Sequence, residues 1–243
     1  MIAVDSLLYK IDQKLNKLSG NEHQRIQLED KILALNEGQL ILIKQKFSGT
    51  FTSSGLGLDG FKKRYEDLQN LIEDYIDHPL ELSEKDPNLH QFVASLNSLS
   101  PKYMFYIDSY ILGTKGRCKD RKIWVNKDLI KHGDLQFLLT NDHYKPSFEY
   151  QETFNELSTD EVLVYTDGSF TPTKLYLSYI RYPKLIDKEG YVKFDGSASV
   201  NQDCELQDYL EDELLDIVVQ NLAEYTENAS AVQSAQLRMQ KSE

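Results

Sequence analysis

The sequence predicts an α+β protein: an N-terminal helical hairpin or bundle, a central antiparallel β-rich region and a C-terminal amphipathic helix. Three observations carry this. Apolar residues recur at steps of three and four before residue 100 and again after residue 200, the spacing of one helix face. Between these stretches apolar and aromatic residues alternate at steps of two, the spacing of one strand face. The chain also holds 15 Tyr and 10 Phe against one Trp, a strand-favouring excess of tyrosine.

Residues 1–100 read as the helical region. Leu7, Leu8, Ile11, Leu15 and Leu18 share a face, with Asp5 or Ser6 as the cap and Gly20 at the end. Asn21 caps a second helix through Ile26, Ile32, Leu33, Leu40, Ile43 and Phe47, and the short break predicts an antiparallel hairpin. Ser48 to Gly60, with four glycines, reads as a flexible loop. A third helix is expected through Phe61, Tyr65, Leu68, Leu71, Ile72 and Tyr75, stopped by Pro79. A shorter helix is expected at Leu89 to Leu99, between Pro87 and Pro101.

Residues 101–200 read as the β-rich region. Tyr103, Phe105, Ile107 and Tyr110 predict a strand, with Ile123-Trp124-Val125 as its partner across the basic turn Lys115 to Lys122. Further strands are expected at Leu135 to Leu139, Phe148 to Phe154, Val162 to Thr166 and Lys174 to Tyr182, with a turn at Asp167-Gly168. Both faces of Lys174 to Tyr182 carry bulky groups, which predicts a central or interfacial strand ended by Pro183. Residues 201–243 return to helix along Leu206, Leu210, Leu214, Ile217, Val218 and Leu222. This helix is expected to pack back on the helical region, and the polar tail after Asn228 to fray or dock on a partner.

The formal charge is −12, which argues against a general nucleic-acid binder. Charge is segregated: residues 101–150 carry +3 and residues 206–243 carry −6, a pattern that suits complementary patches. No apolar run reaches membrane-spanning length, and the start Met1-Ile2-Ala3-Val4-Asp5 lacks the basic-then-apolar pattern of a secretory leader. Two cysteines, Cys118 and Cys204, read as reduced thiols. No cofactor, metal site or catalytic group is expected. His23, His78, His90, His132 and His143 sit at no metal-ligand spacing, and Asp74, Asp77 and His78 read as a solvated helix end. Basic neighbours favour a Cys118 thiolate, but no base pairs with it. Gly113-Thr114-Lys115-Gly116 has the wrong order for a phosphate loop, and Gly55-Leu56-Gly57 lacks the strand that a dinucleotide fingerprint needs.

The best local candidate is the basic turn. Lys115, Arg117, Lys119, Arg121 and Lys122 place five positive charges within eight residues, opposed only by Asp120. A solvated hairpin tip, contact with an acidic neighbouring protein, and contact with DNA phosphates all fit that run. Tyr179, Arg181 and Tyr182 complete the expected protein interface, with Arg181 tied by a carboxylate or by a neighbouring subunit.

A resemblance narrows the function. In order, the chain carries His132-Gly133-Asp134-Leu135, Thr140-Asn141-Asp142-His143-Tyr144-Lys145-Pro146, Val164-Tyr165-Thr166-Asp167 and Leu177-Ser178-Tyr179-Ile180-Arg181-Tyr182-Pro183-Lys184. An acidic helix, Leu206 to Leu222, then holds Glu213-Leu214-Leu215-Asp216-Ile217-Val218. This set, spanning a little under half the chain, resembles structural proteins of the crAss-like tailed bacteriophages of Bacteroidales. The resemblance implies a head-to-tail connector ring in the neck or tail of the virion, made in the bacterial host cytoplasm. Such rings stack below the portal as cyclic homo-oligomers, commonly of 12 copies, around the DNA channel. The implied partners are further copies of the chain, the portal protein, neighbouring ring or tail proteins, and double-stranded DNA passing without sequence-specific binding. No catalytic residues carry over, and no membrane is implied. An acidic lumen lined by Glu211 to Glu213 would let DNA slide. The rival readings are a capsid-associated or cargo protein, and a phage-encoded enzyme or regulator.

Overall fold

The computed structural model describes residues 1–18, 26–48, 62–83, 90–127, 130, 132–193 and 195–225. The expected caps at Gly20 and Asn21, most of the glycine-rich loop and the tail after Asn228 lie outside them. The chain is a mixed α+β protein whose contacts divide it into two units. One comprises residues 1–71 with 183–243, and the other residues 72–182.

The first unit is built on three long helices, α1 (Val4–Leu18), α2 (Leu28–Ser48) and α5 (Glu211–Tyr225). Val4, Leu7, Ile11 and Leu15 form the buried stripe of α1. α5 packs on both α1 and α2, burying Leu214, Ile217, Val218 and Leu222. Gly38 is what lets α2 approach α5: a Cβ there would lie 2.7 Å from Val218 Cγ2. Lysines of α1 and α2 meet the acidic side of α5, with Lys10 to Glu211 at 2.5 Å, Lys14 to Asp216 at 2.8 Å and Lys46 to Glu213 at 2.5 Å. The short helix α3 (Lys62–Leu68) adds Asp67, which lies 3.4 Å from Lys46. Ile2 and Cys204 exchange backbone hydrogen bonds of 3.0 Å, and Asp203 Oδ1 accepts from the Val4 N–H in the first turn of α1. Asn36 of α2 pins the following segment by a reciprocal pair with the Ile186 backbone, 2.8 and 2.9 Å.

The second unit is an eight-stranded curled sheet. Its strands are β1 (Ile72–Pro79), β2 (Glu81–Leu82), β3 (Gln91–Ser95), β4 (Tyr103–Lys115), β5 (Cys118–Lys127), β6 (Glu152–Leu157), β7 (Glu161–Tyr165) and β8 (Thr171–Arg181). They lie in the order β1-β8-β4-β5-β6-β7-β3-β2. β1 and β2 are joined through Leu80 alone, so the two ends of this order belong to consecutive residues and the sheet curls back on itself. Phe92, Ile111, Ile123, Val164, Leu175, Leu177 and Tyr179, from strands all along the order, form one core inside the curl. Within it, Asn155 Nδ2 donates to Tyr106 Oη and Ser109 Oγ, both at 3.0 Å, and these two hydroxyls bond each other at 2.9 Å, so the buried polar groups form a mutually satisfied trio.

Four expectations are corrected here. Residues 72–79 are strand, not the end of a third helix: α3 stops at Leu68 and β1 takes the edge of β8. Gln91–Ser95 is strand because it pairs with β7 along five residues. The spacing of Leu68, Leu71, Ile72 and Tyr75 suits a helix locally, but the available β8 edge overrides it. Leu135–Thr140 is a helix, α4, whose Leu135 and Leu138 lie one turn apart and pack on Phe154, Leu163 and Tyr165. Lastly, the sheet is not wholly antiparallel. β5 and β6 run parallel, and the crossover that such a pair requires contains α4. The expected hairpin between β4 and β5 is present, turning at Gly116 with φ +57°.

Candidate functional site

The register of the second unit assembles an aromatic strip that no contiguous motif announces. Tyr110 of β4 lies opposite Trp124 of β5 on one side and Tyr176 of β8 on the other. Side chains alternate along a strand, so these three share the face opposite Ile111, Ile123, Leu175 and Leu177 of the core. Tyr110 stacks on Tyr176 with centroids 4.8 Å apart and planes within 8°, and meets Trp124 at 5.7 Å.

Tyr75 joins the strip from β1 through a bulge between Glu73 and Ile76. Its φ is +47°, a conformation that costs an ordinary residue energy. Two side chains hold it there. Its N–H donates to Ser178 Oγ at 3.0 Å, and its hydroxyl donates to Asp108 Oδ2 at 3.1 Å. Its ring lies 5.0 Å from that of Tyr110. Burial, then the Asp108 hydrogen bond, pushes the Tyr75 hydroxyl up to about 12.

Lys122 closes the group. Its Nζ stands 3.7 Å from the centroids of both Tyr110 and Trp124 and 5.5 Å from that of Tyr75. Three rings thus surround one ammonium, each turning a negative π face toward it. Trp124 and Tyr75 remain 44% and 40% exposed, so the strip is open to solvent at its margin.

The residues expected at an interface do not stay together. Lys115 and Arg121 fall on the opposite side of the hairpin from Lys122. Lys115 pairs with Glu149 at 2.6 Å, and the Arg121 guanidinium lies 5.3 Å from the Phe148 ring. With its amide turned to satisfy both neighbours, Gln151 accepts from Arg121 Nη2 at 2.8 Å and donates to the Lys122 carbonyl at 3.1 Å. Arg117 is exposed at the turn, and the Lys119 side chain lies outside the described residues. Tyr179 is fully buried, and its hydroxyl donates to the Pro101 carbonyl at 2.8 Å. It is therefore a core residue rather than a surface contact. Arg181 Nε lies 3.2 Å from Glu73 Oε1, a carboxylate partner within the chain. Tyr182 is 42% exposed beside Lys102, whose Nζ lies 5.1 Å from its ring. Alternation at Asp108, Tyr110 and Leu112 and at Lys122 and Trp124 was the available signal for the strip. Only the register shows that these strands are neighbours, and Tyr75 reaches the strip through a bulge that periodicity does not encode.

One Ser–His contact invites a chemical reading. His78 Nε2 lies 2.5 Å from the Ser95 carbonyl oxygen and 3.3 Å from Ser98 Oγ. A carbonyl only accepts, so Nε2 carries its hydrogen and donates to it. Ser98 Oγ also donates to that carbonyl, at 2.9 Å. Nε2 therefore offers Ser98 no lone pair, and the contact ties β1 to the end of β3 without activating a nucleophile. Among the described residues no group of three or more His, Cys, Asp or Glu could hold a metal ion, and no helix is long and apolar enough to cross a membrane.

No protein-family model matches the sequence, and no curated protein matches it.

Proposed function

We propose that this chain is a virion structural protein, one subunit of a cyclic ring in the head-to-tail connector of a crAss-like phage. The ring stands in the neck or tail below the portal and forms part of the DNA channel. The ordered motifs from His132 to Leu222 support the family reading, which brings with it a ring of about twelve copies. The observation that carries the assembly reading is the number of large aromatic residues left exposed on the second unit. Phe137, Tyr144, Tyr150 and Tyr182 all stand at the surface, and aromatic side chains are enriched where proteins meet.

The channel-facing part of the proposal narrows. Glu211, Glu213 and Asp216 are engaged by Lys10, Lys46 and Lys14 of the same chain, so they contribute little free negative charge. Asp208, just before this helix, and Asp212 are paired as well, with the Met1 ammonium at 2.9 Å and with Lys14 at 3.8 Å, but both stay largely exposed, where such pairs are weak, so they keep charge that would repel passing phosphates. The test is to purify virions of the phage that encodes the chain, identify it by mass spectrometry and place it by cryo-electron microscopy. Density for a ring of this fold between portal and tail is the expected result. Absence of the chain from intact virions refutes the proposal.

A further inference from the structure

We propose that Tyr75, Tyr110 and Trp124 form a binding site for an organic ammonium group, which Lys122 fills from within the chain until a competing ligand displaces it. The inference is independent of the ring reading.

Two observations point to a built site. The first is the geometry of the ammonium, 3.7 Å from two ring centroids and 5.5 Å from a third. Stacking alone would leave the rings facing one another; here they leave a space that a cation occupies. The second is the φ of +47° at Tyr75. The strained residue is the one that completes the cage from a strand two places away from β4. Ser178 and Asp108 both hold it, so the bulge is specified by side chains rather than left to chance.

The surroundings select the ligand's charge. Asp108 lies against the Tyr75 hydroxyl, Asp74 adds a negative field at Tyr75 and Asp77 one at Tyr110. Lys174 balances Asp77 through an ion pair of 2.5 Å. Without Lys122 the cage would therefore be π faces beside carboxylate charge, a setting that takes a cation and rejects an anion. The rings suit a weakly hydrated ammonium, such as a lysine side chain of a partner protein or a quaternary headgroup. Lys122 sits on β5 beside the rings, so it competes from within the chain and lowers the apparent affinity by the fraction of cages left vacant.

Trp124 is the only tryptophan, so its emission reports this site alone. The experiment titrates Lys122→Ala with tetramethylammonium chloride, using sodium chloride at equal ionic strength as the control. A saturable change in Trp124 emission is expected for Lys122→Ala. The wild type should respond at least about tenfold more weakly, and Lys122→Ala carrying Tyr75→Leu should lose the response. Far-UV circular dichroism establishes that each variant is folded, and Lys122→Ser replaces the alanine variant should that one fail. Titrations with Nα-acetyl-lysine amide and with choline separate the sources: tighter binding of the first supports a protein side chain, of the second a headgroup. A linear or absent response in the vacated cage overturns the inference, as does an equal midpoint in all three proteins.

Discussion

Lys46 stands at the centre of a buried charge network in the first unit. Its ammonium is almost wholly buried, 2.5 Å from Glu213 Oε2 and 3.4 Å from Asp67 Oδ2. The Asp67 side chain is fully buried, and its other oxygen accepts from the Tyr209 hydroxyl at 2.8 Å. That hydroxyl is pushed up to about 12 by burial and then by the Asp67 hydrogen bond. Lys46→Met keeps most of the apolar stem but removes the cation that the two carboxylates share. Breaking a buried pair from one side costs about 3–5 kcal/mol, because the remaining charge stays desolvated. Glu213 is one quarter exposed and can turn partly to water, so a loss near the lower end, about 3 kcal/mol, is expected. Asp67→Asn on top of Lys46→Met removes the stranded charge while keeping an acceptor for Tyr209. That double variant should recover about 2 kcal/mol relative to Lys46→Met. Urea denaturation at pH 7, followed by far-UV circular dichroism, measures both. A Lys46→Met variant within about 0.5 kcal/mol of wild type, or strict additivity in the double variant, would refute the argument that a buried charge network joins α2, α3 and α5.

Three further outcomes follow from single contacts. Gly38→Ala should gain about 1 kcal/mol of helix propensity but lose more to the 2.7 Å approach on Val218, for a net loss of about 1–2 kcal/mol in urea denaturation; Val218→Ala in the same chain should relieve it. Asn155→Ala strips the Tyr106 and Ser109 oxygens of their shared donor in the core and should cost about 2–3 kcal/mol by the same assay. Burial raises the Asp187 carboxyl, but the Lys193 ammonium, the Val200 N–H and the Tyr191 hydroxyl together hold it below the ordinary carboxylate value. A carboxyl lowered on folding stabilises above its unfolded value of about 3.9 and loses that stabilisation as pH falls through the folded value. Asp187→Asn should therefore be less stable than wild type at pH 7, and the gap should close as pH falls through the lowered value of the folded carboxyl; a constant gap across a pH series of denaturation curves would contradict this.

The helical ends were legible because each helix carries its own burial pattern. Leu7, Ile11 and Leu15 recur at helical spacing and are buried, as are Leu214, Ile217, Val218 and Leu222. β4 was legible by its spacing of two, β5 as its partner across the basic turn, and β7 and β8 as runs of β-favouring residues, with bulky groups on both faces of β8. β1 and β3 were not, since a stretch such as Ile72–Pro79 satisfies either period until a neighbour is known, and the β8 edge decides it. The interface residues divided for the same reason. Arg121 and Lys122 are adjacent in sequence, but a strand sends them to opposite faces, one over Phe148 and the other into the cage of Tyr75, Tyr110 and Trp124.

The sequence by itself determined the mixed α+β class, the terminal amphipathic helices, the β4–β5 hairpin and the separation of acidic from basic blocks. All of these depend on residues near one another in the chain. Tertiary structure alone decided which strands are neighbours, where the parallel crossover falls and which charges remain for the outside. The −6 of residues 206–243 and the basic run at 115–122 are both sequence facts. Once folded, Glu211, Glu213 and Asp216 face lysines from the other end of the chain, and Lys122 faces rings from β1, β4 and β5. A charge's availability depends on the groups that folding brings within a few ångströms of it, and those groups lie far away in sequence.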